Sequence, residues 1–203
     1  MTTLASPAHT THVFIDRLFT TRSALTDTVF VLAGATTIGF LAQVSIPMWP
    51  VPITGQTLGV ILVGAMLGAR RGALSLALYA LAGLAGVPWF ANFGGGLAYA
   101  LQPSFGFIIG FIATAWVVGR LSEKRWDRST WKSMGAFAIA SAIPFIVGVP
   151  WMWANLHFLS GKSLDLMATL NAGLIPFIPG GIVKWALAWA ILTSAWKIAG
   201  SRR

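Results

Sequence analysis

The chain has 203 residues, of which 56% are hydrophobic and 9% are charged, whereas a soluble domain is typically about 25% charged. It contains no cysteine, which excludes disulfides and thiolate metal sites. The net charge of +9 comes from Lys and Arg in the connections between apolar segments, which indicates membrane topology rather than a nucleic-acid-binding surface. We therefore predict an all-α integral membrane protein that contacts lipid and binds no nucleic acid.

Two parts are predicted along the chain. Residues 1–22 are polar and lack the apolar core of a signal peptide, so we expect a cytoplasmic N-terminal tail. Residues 23–203 are predicted to form a single transmembrane domain of six helices. The six apolar segments are Ala24–Val44, Ile53–Leu67, Gly72–Val87, Ser104–Leu121, Ser133–Trp153 and Phe177–Ile198.

The second and third segments are shorter than the roughly 20 residues that a helix needs to cross a bilayer. We expect their outer ends to be recessed, with the connections Ser45–Pro52 and Pro88–Pro103 folding back at membrane depth. Non-helical backbone at that depth must be buried in protein or line a cavity. The sequence therefore predicts a ligand pocket that opens to the outside.

Basic residues occur in every second connection between the apolar segments. Lys162 is the one basic residue in the opposite set of connections. Cytoplasmic loops are enriched in Lys and Arg, so this alternation predicts six spans with both termini cytoplasmic. The residues on the predicted cytoplasmic side are Arg17, Arg22, Arg70, Arg71, Arg120, Lys124, Arg125, Arg128, Lys132, Lys197, Arg202 and Arg203.

Lys184 lies in the interior of the last apolar segment. A charge there costs roughly 2.5–3.5 kcal/mol on insertion scales, and such residues are often functional. Two interpretations stay open. The side chain could snorkel to the headgroups, or it could bind a ligand carboxylate or carbonyl. The second is favoured because the apolar segments contain no Asp or Glu apart from Asp27, at the inner edge of the first, so Lys184 has no evident counter-ion in the protein.

Four further polar residues are candidates, each with a structural alternative. Asn92 is either a turn residue or an amide that pairs with a ligand. Thr54 is an N-cap or a pocket residue, and Gln56 faces the pocket if its helix is recessed. Tyr79 either forms a hydrogen bond between helices or walls the pocket.

Aromatic and glycine residues complete the residue-level candidates. Trp89 and Phe90 could wall an apolar ring or belong to an interfacial aromatic belt. Pro179-Gly180-Gly181 is a helix start whose free N–H groups could also face an acceptor.

The sequence lacks the parts that several function classes need. It has no Walker loop, so it cannot hydrolyse ATP itself. Its three histidines form no metal-ligand pattern, and no metal site is predicted. No acidic pair is available within the membrane for a proton relay, nor an acid–base set for an enzyme.

Four stretches resemble the BioY family, the biotin-specific S components of energy-coupling factor (ECF) transporters. They are Pro50–Val60, Gly68–Tyr79, Gly86–Gly96 and Phe177–Gly180, and the shorter stretch Gln43–Pro47 resembles the family as well. The resemblance implies the six-helix S-component fold and tight binding of biotin near the outer face of the cell membrane, without a cofactor. It also implies three partners, namely a transmembrane coupling subunit and two ATPase subunits.

The resemblance also implies site residues. In the family an Asp and a Lys at the start of the sixth helix contact the ligand; Lys184 stands at the Lys position, but Gly181 stands at the Asp position. Asn92 and Gly95 match the family's Asn–Gly region. Trp151 is a candidate wall residue, and Asn155 a candidate substitute for the missing carboxylate. Gly181 leaves open an S component for another vitamin, and a stand-alone facilitator of small solutes is the remaining alternative.

Overall fold

The computed structural model describes residues 13–19, 23–162 and 164–200. These residues are mostly helical, as predicted, with one two-stranded hairpin. The helices are α1 (Phe14–Leu18), α2 (Ala24–Gln43), α3 (Gln56–Leu67), α4 (Ala69–Leu84), α5 (Phe105–Glu123), α6 (Thr130–Phe158), α7 (Leu166–Gly173) and α8 (Phe177–Gly200), and the strands are β1 (Ser45–Ile46) and β2 (Ile53–Thr54).

Within the described residues, four segments are long and apolar enough to cross a membrane. They are α2, α5, α6 and the stretch from Leu166 to Gly200, which contains α7 and α8. By contrast, α3 has only 12 residues and α4 has 16. The two segments predicted to be short thus correspond to α3 and α4, which are both shorter than the roughly 20 residues of a full membrane span.

Successive helices run in opposite directions, so the connections gather at two ends of the bundle. Gln43 and Gln56 mark the first, which we call the α2–α3 end; the turn at Gly68 marks the second, the α3–α4 end. Gly68 has φ +86° and joins α3 to α4 without an intervening loop. Glu123 at the end of α5 accepts a hydrogen bond from the Ala69 N–H at 2.9 Å, which fixes the start of α4.

At the α2–α3 end the connections are folded rather than extended. The proline-rich stretch forms the antiparallel β1–β2 hairpin, and the α4–α5 connection contains two 3₁₀ helices, Ala91–Phe93 and Leu97–Leu101. Helix α7 lies between α6 and α8, where the sequence suggested only a connection. Lys162 Nζ lies 4.4 Å from the ring centre of Trp49, so two of these connections contact each other.

Ion pairs hold the α3–α4 end together. Arg71 pairs with Asp16 of α1 at 2.7 Å and with Asp27 of α2 at 2.6 Å. Of the predicted N-terminal tail, residues 1–22, the structure describes residues 13–19. They contain the one-turn helix α1, which packs on the bundle. The rest of the tail lies outside the described residues, and its cytoplasmic placement stays a prediction.

Candidate ligand-binding site

A cavity of about 50 Å³ lies at the α2–α3 end, between the start of α3 and helices α5, α6 and α8. Its polar side chains are Thr54, Gln56, Thr57, Tyr99, Ser104 and Lys184. Its apolar walls come from Val51, Pro52, Ala91, Phe107, Ile108, Phe111, Pro144, Phe145 and Phe177.

The Lys184 amine points into the protein. Its Nζ donates to the Thr54 carbonyl oxygen at 2.7 Å and to Thr57 Oγ1 at 2.8 Å. The side chain thus reaches across to the start of α3, and the snorkelling alternative does not describe this geometry. An ammonium group has three donors, so two are used by these contacts and the third is left for another acceptor.

The positive charge is not neutralised by a neighbouring carboxylate within the described residues, whose ion pairs do not include Lys184. The backbone N–H groups at the start of α3 add partial positive charge, as at any helix N-terminus. This end of the cavity is therefore electropositive, and it favours an anionic or strongly accepting group.

A buried chain of hydrogen bonds continues from the Lys184 contact into the core. Thr54 Oγ1 donates to Gln56 Oε1 at 2.8 Å, and Gln56 Nε2 donates to the Tyr79 hydroxyl oxygen at 2.8 Å. The Tyr79 hydroxyl in turn donates to the Trp89 carbonyl at 3.3 Å. All the members of this chain have partners, as a buried polar network requires. It fixes the β2–α3 junction that carries the Lys184 acceptors.

The opposite side of the cavity is aromatic. The residues that form it were not among those predicted from the sequence. Phe107 stacks on Phe177 with ring centres 6.2 Å apart, and Phe145 meets both rings edge-on at 5.8 Å. Tyr99 and Ser104 lie on the wall nearer the α4–α5 connection, with their oxygens 3.5 Å apart. A cavity with one charged end and an aromatic opposite wall suits a ligand that has a polar group and an apolar body.

Three predicted residues of the α4–α5 connection lie outside this lining. Phe90 is fully buried against Tyr79 and Tyr99. Trp89 donates its Nε1–H to the Tyr79 carbonyl at 2.9 Å. Asn92 is exposed, has φ +57°, and its Oδ1 accepts from Ser45 Oγ at 3.3 Å. The left-handed φ fits the turn interpretation of Asn92.

The remaining predicted residues hold the connections in place. Trp151 Nε1 donates to the Gln102 carbonyl at 3.1 Å, and Asn155 Nδ2 donates to the Leu101 carbonyl. Both bonds tie α6 to the α4–α5 connection, outside the cavity lining. Gly95 lies so close to the backbone of Val87 that a Cβ would come within 2.7 Å of the Val87 oxygen. Tyr79 is likewise a support, fully buried behind the lining.

Gly181 is outside the cavity lining, but it shares a face of α8 with two residues that belong to it. Residues three and four apart share a helix face, and Gly181 stands between Phe177 and Lys184, which both line the cavity. A Cβ at Gly181 would have no atom within 4 Å. There is therefore room for a side chain beside Lys184.

Residues 11–201 match the model of the BioY family. The chain belongs to the BioY family. The resemblance seen in the sequence is thereby confirmed.

Named BioY relatives have similar lengths. The biotin transporter BioY of Thermotoga maritima is 32% identical over 161 residues, covering 79% of this chain and 90% of the relative. The probable biotin transporter BioY of Pyrococcus horikoshii is 36% identical over 160 residues, covering 79% and 88%.

A solved structure shares the fold. It is the S component for biotin from an ECF-type ABC transporter, which aligns with a TM-score of 0.72 at 24% identity over 87% of this chain and 95% of its own. This BioY chain therefore has the S-component fold.

The buried hydrogen-bond chain gives a stability prediction. Tyr79→Phe leaves Gln56 Nε2 without its acceptor, and an unpaired buried donor costs about 1–3 kcal/mol. We expect the apparent melting temperature in detergent to fall. Tyr99→Phe is the matched control, because its hydroxyl makes a single long contact, and it should leave the melting temperature nearly unchanged. Equal effects of the two substitutions would contradict the network.

Proposed function

We propose that this chain binds biotin in the cavity beside Lys184, as the S component of an ECF-type transporter. The names of its BioY relatives, and the biotin specificity of its structural neighbour, support the ligand. The observation that carries the site is the inward-facing Lys184 amine, which has one donor left beside an aromatic wall. Biotin offers matching chemistry, with a carboxylate and a urea carbonyl as acceptors and an apolar ring and chain.

The proposal includes the arrangement in the membrane. Helices α2, α3, α4, α5, α6 and α8 would be the six spans, with both termini cytoplasmic and the cavity opening outward in the cell membrane. The alternation of basic residues supports this orientation. ATP hydrolysis would be supplied by two ATPase subunits and passed on by a transmembrane coupling subunit, since the chain has no nucleotide-binding loop of its own.

Ligand entry requires the cavity walls to move. The cavity measures about 50 Å³, whereas sites that enclose drug-sized ligands typically measure about 300–1,000 Å³. The wall includes Val51 and Pro52 of the hairpin connection and Ala91 of the α4–α5 connection. We propose that these connections separate to admit biotin, while α5, α6 and α8 stay packed.

Lys184→Met tests the site directly. Loss of one charge-assisted hydrogen bond costs about 1.5–3 kcal/mol, so biotin affinity should fall about 10- to 150-fold. The measurement is isothermal titration of the purified chain in detergent. Lys132→Met, an exposed lysine in the first turn of α6, is the control and should bind like the parent chain. Unchanged affinity of Lys184→Met would remove Lys184 from the site, and absence of saturable biotin binding in the parent chain would overturn the proposed ligand.

Gly181 favours a second candidate, an S component for a different vitamin. If biotin is the ligand, Gly181→Asp should bind it about tenfold more tightly, because the new carboxylate adds a charge-assisted acceptor for a urea N–H. Gly181→Ala controls for the loss of glycine and should change little, since its Cβ meets open space. Titration of both variants and the parent chain with biotin and other water-soluble vitamins decides between the candidates. Tighter binding of another vitamin by the parent chain would reassign the ligand.

A further inference from the structure

A second cavity lies at the α3–α4 end, far along α8 from the first. It measures about 340 Å³ and is formed by the α5–α6 connection and the last turns of α8. Its lining consists of Asp127, Arg128, Thr130, Trp189, Thr193, Trp196 and Lys197. The sequence indicated no role for these residues beyond topology.

Asp127 is the unusual residue of this cavity. It is only 4% exposed. Its Oδ2 accepts a hydrogen bond from Trp196 Nε1 at 2.7 Å. Its Oδ1 is buried and has no hydrogen-bond partner among the residues that the structure describes. Buried carboxylate oxygens are normally paired, so this oxygen calls for a donor that the described chain does not supply.

Cations surround this single carboxylate. The Arg128 guanidinium lies 4.2 Å from the ring centre of Trp196, and Lys197 completes the rim. Burial lowers the pKa of Arg128, against the opposing effect of the Asp127 charge. Burial also raises the pKa of the Asp127 carboxyl, against the opposing effects of Trp196 and Arg128.

The cavity lies where α8 leaves the apolar layer. The helix is apolar over most of its length and ends at Gly200, so Thr193 to Lys197 occupy its last two turns and Trp189 lies about one turn deeper. Trp and Lys at the end of an apolar helix are typical of the membrane–water interface. We therefore expect the cavity to lie at a membrane–water interface, whichever side of the membrane this end of α8 faces.

We propose that this cavity binds the headgroup of an ethanolamine phospholipid. The lipid ammonium would pair with the Asp127 carboxylate, whose buried Oδ1 would turn toward the cavity to accept its N–H, and the lipid phosphate would lie against Arg128 and Lys197. The indole of Trp189 would contact the glycerol and the upper acyl chain.

The positive charges of Arg128 and Lys197 favour a lipid headgroup over a basic protein side chain in this cavity. A basic side chain of a partner protein could also pair with Asp127, but Arg128, Lys197 and their neighbours would repel it. A phosphoethanolamine group brings its own phosphate, which offsets that repulsion. An anionic glycerol headgroup offers only neutral hydroxyl donors to Oδ1, whose hydrogen bonds are weaker than that of an ammonium, and a choline nitrogen carries no hydrogen to donate.

The test uses the full chain purified in detergent, with native mass spectrometry of lipid adducts. Dioleoyl phosphatidylethanolamine, phosphatidylglycerol and phosphatidylcholine are added singly at equal concentration. We expect the first ethanolamine-lipid adduct to form about tenfold more tightly than the choline-lipid adduct, the scale of a charge-assisted hydrogen bond. Asp127→Asn should abolish this preference. Asp165→Asn, the same change at an exposed N-cap of α7, should retain it.

Two further measurements keep the proposal testable if Asp127→Asn does not fold. Lys197→Gln, at an exposed residue, should weaken the adducts of all three lipids without changing their order. In the parent chain, millimolar phosphoethanolamine should displace the ethanolamine lipid, and phosphocholine should not. Equal binding of ethanolamine and choline lipids, equal displacement by the two headgroups, or a preference that survives in Asp127→Asn would overturn the proposal. The two cavities share no lining residue, so the biotin proposal is tested separately from this one.

Discussion

The contact between Lys184 and the start of α3 organises the cavity end of this protein. Lys184 lies in an apolar helix, where an ammonium group without partners would be costly. It is held by the Thr54 carbonyl and the Thr57 hydroxyl. Those acceptors are available because α3 begins late, after the hairpin. The late start of α3 therefore provides the acceptors that hold the charged amine of Lys184 inside the protein.

The cavity has a polar side, formed around the start of α3, and an aromatic side opposite it. The α3 side carries the polar chain from Lys184 through Thr54 and Gln56 to Tyr79, and the opposite side carries Phe107, Phe145 and Phe177. The polar chain from Thr54 to Tyr79 is hydrogen-bonded along its whole length without a ligand. A ligand with an acceptor group gains the remaining Lys184 donor, and its apolar part gains the aromatic wall.

Sequence patterns predicted the helices well because apolar length and loop charge depend on composition alone. Lys184, Thr54 and Gln56 could be named as candidates because each is a polar residue in or beside an apolar segment. The direct contact of Lys184 with the Thr54 carbonyl and with Thr57 could not be predicted, because it depends on how α8 packs against the start of α3. The hairpin, α7 and the packed helix α1 were not foreseen, because short elements of this kind are decided by tertiary contacts.

The aromatic residues show where sequence reasoning ended. Trp89 and Phe90 flank a polar, glycine-rich motif, and Trp151 is a further aromatic candidate, yet all three pack behind or beside the cavity. Phe107 and Phe145, in plain apolar stretches, line it. Which face of a helix meets a cavity depends on helix rotation, and these segments are apolar on every side. The sequence around Asp127 likewise indicated topology, and only the fold brings it against Trp196.

An experimental structure of the purified chain with biotin bound would test the Lys184 site most directly. We predict a biotin acceptor oxygen about 3 Å from Lys184 Nζ, with the ligand rings or chain against Phe107 and Phe177. A structure in which biotin lies elsewhere, or in which the Lys184 amine extends to the lipid headgroups, would contradict this prediction.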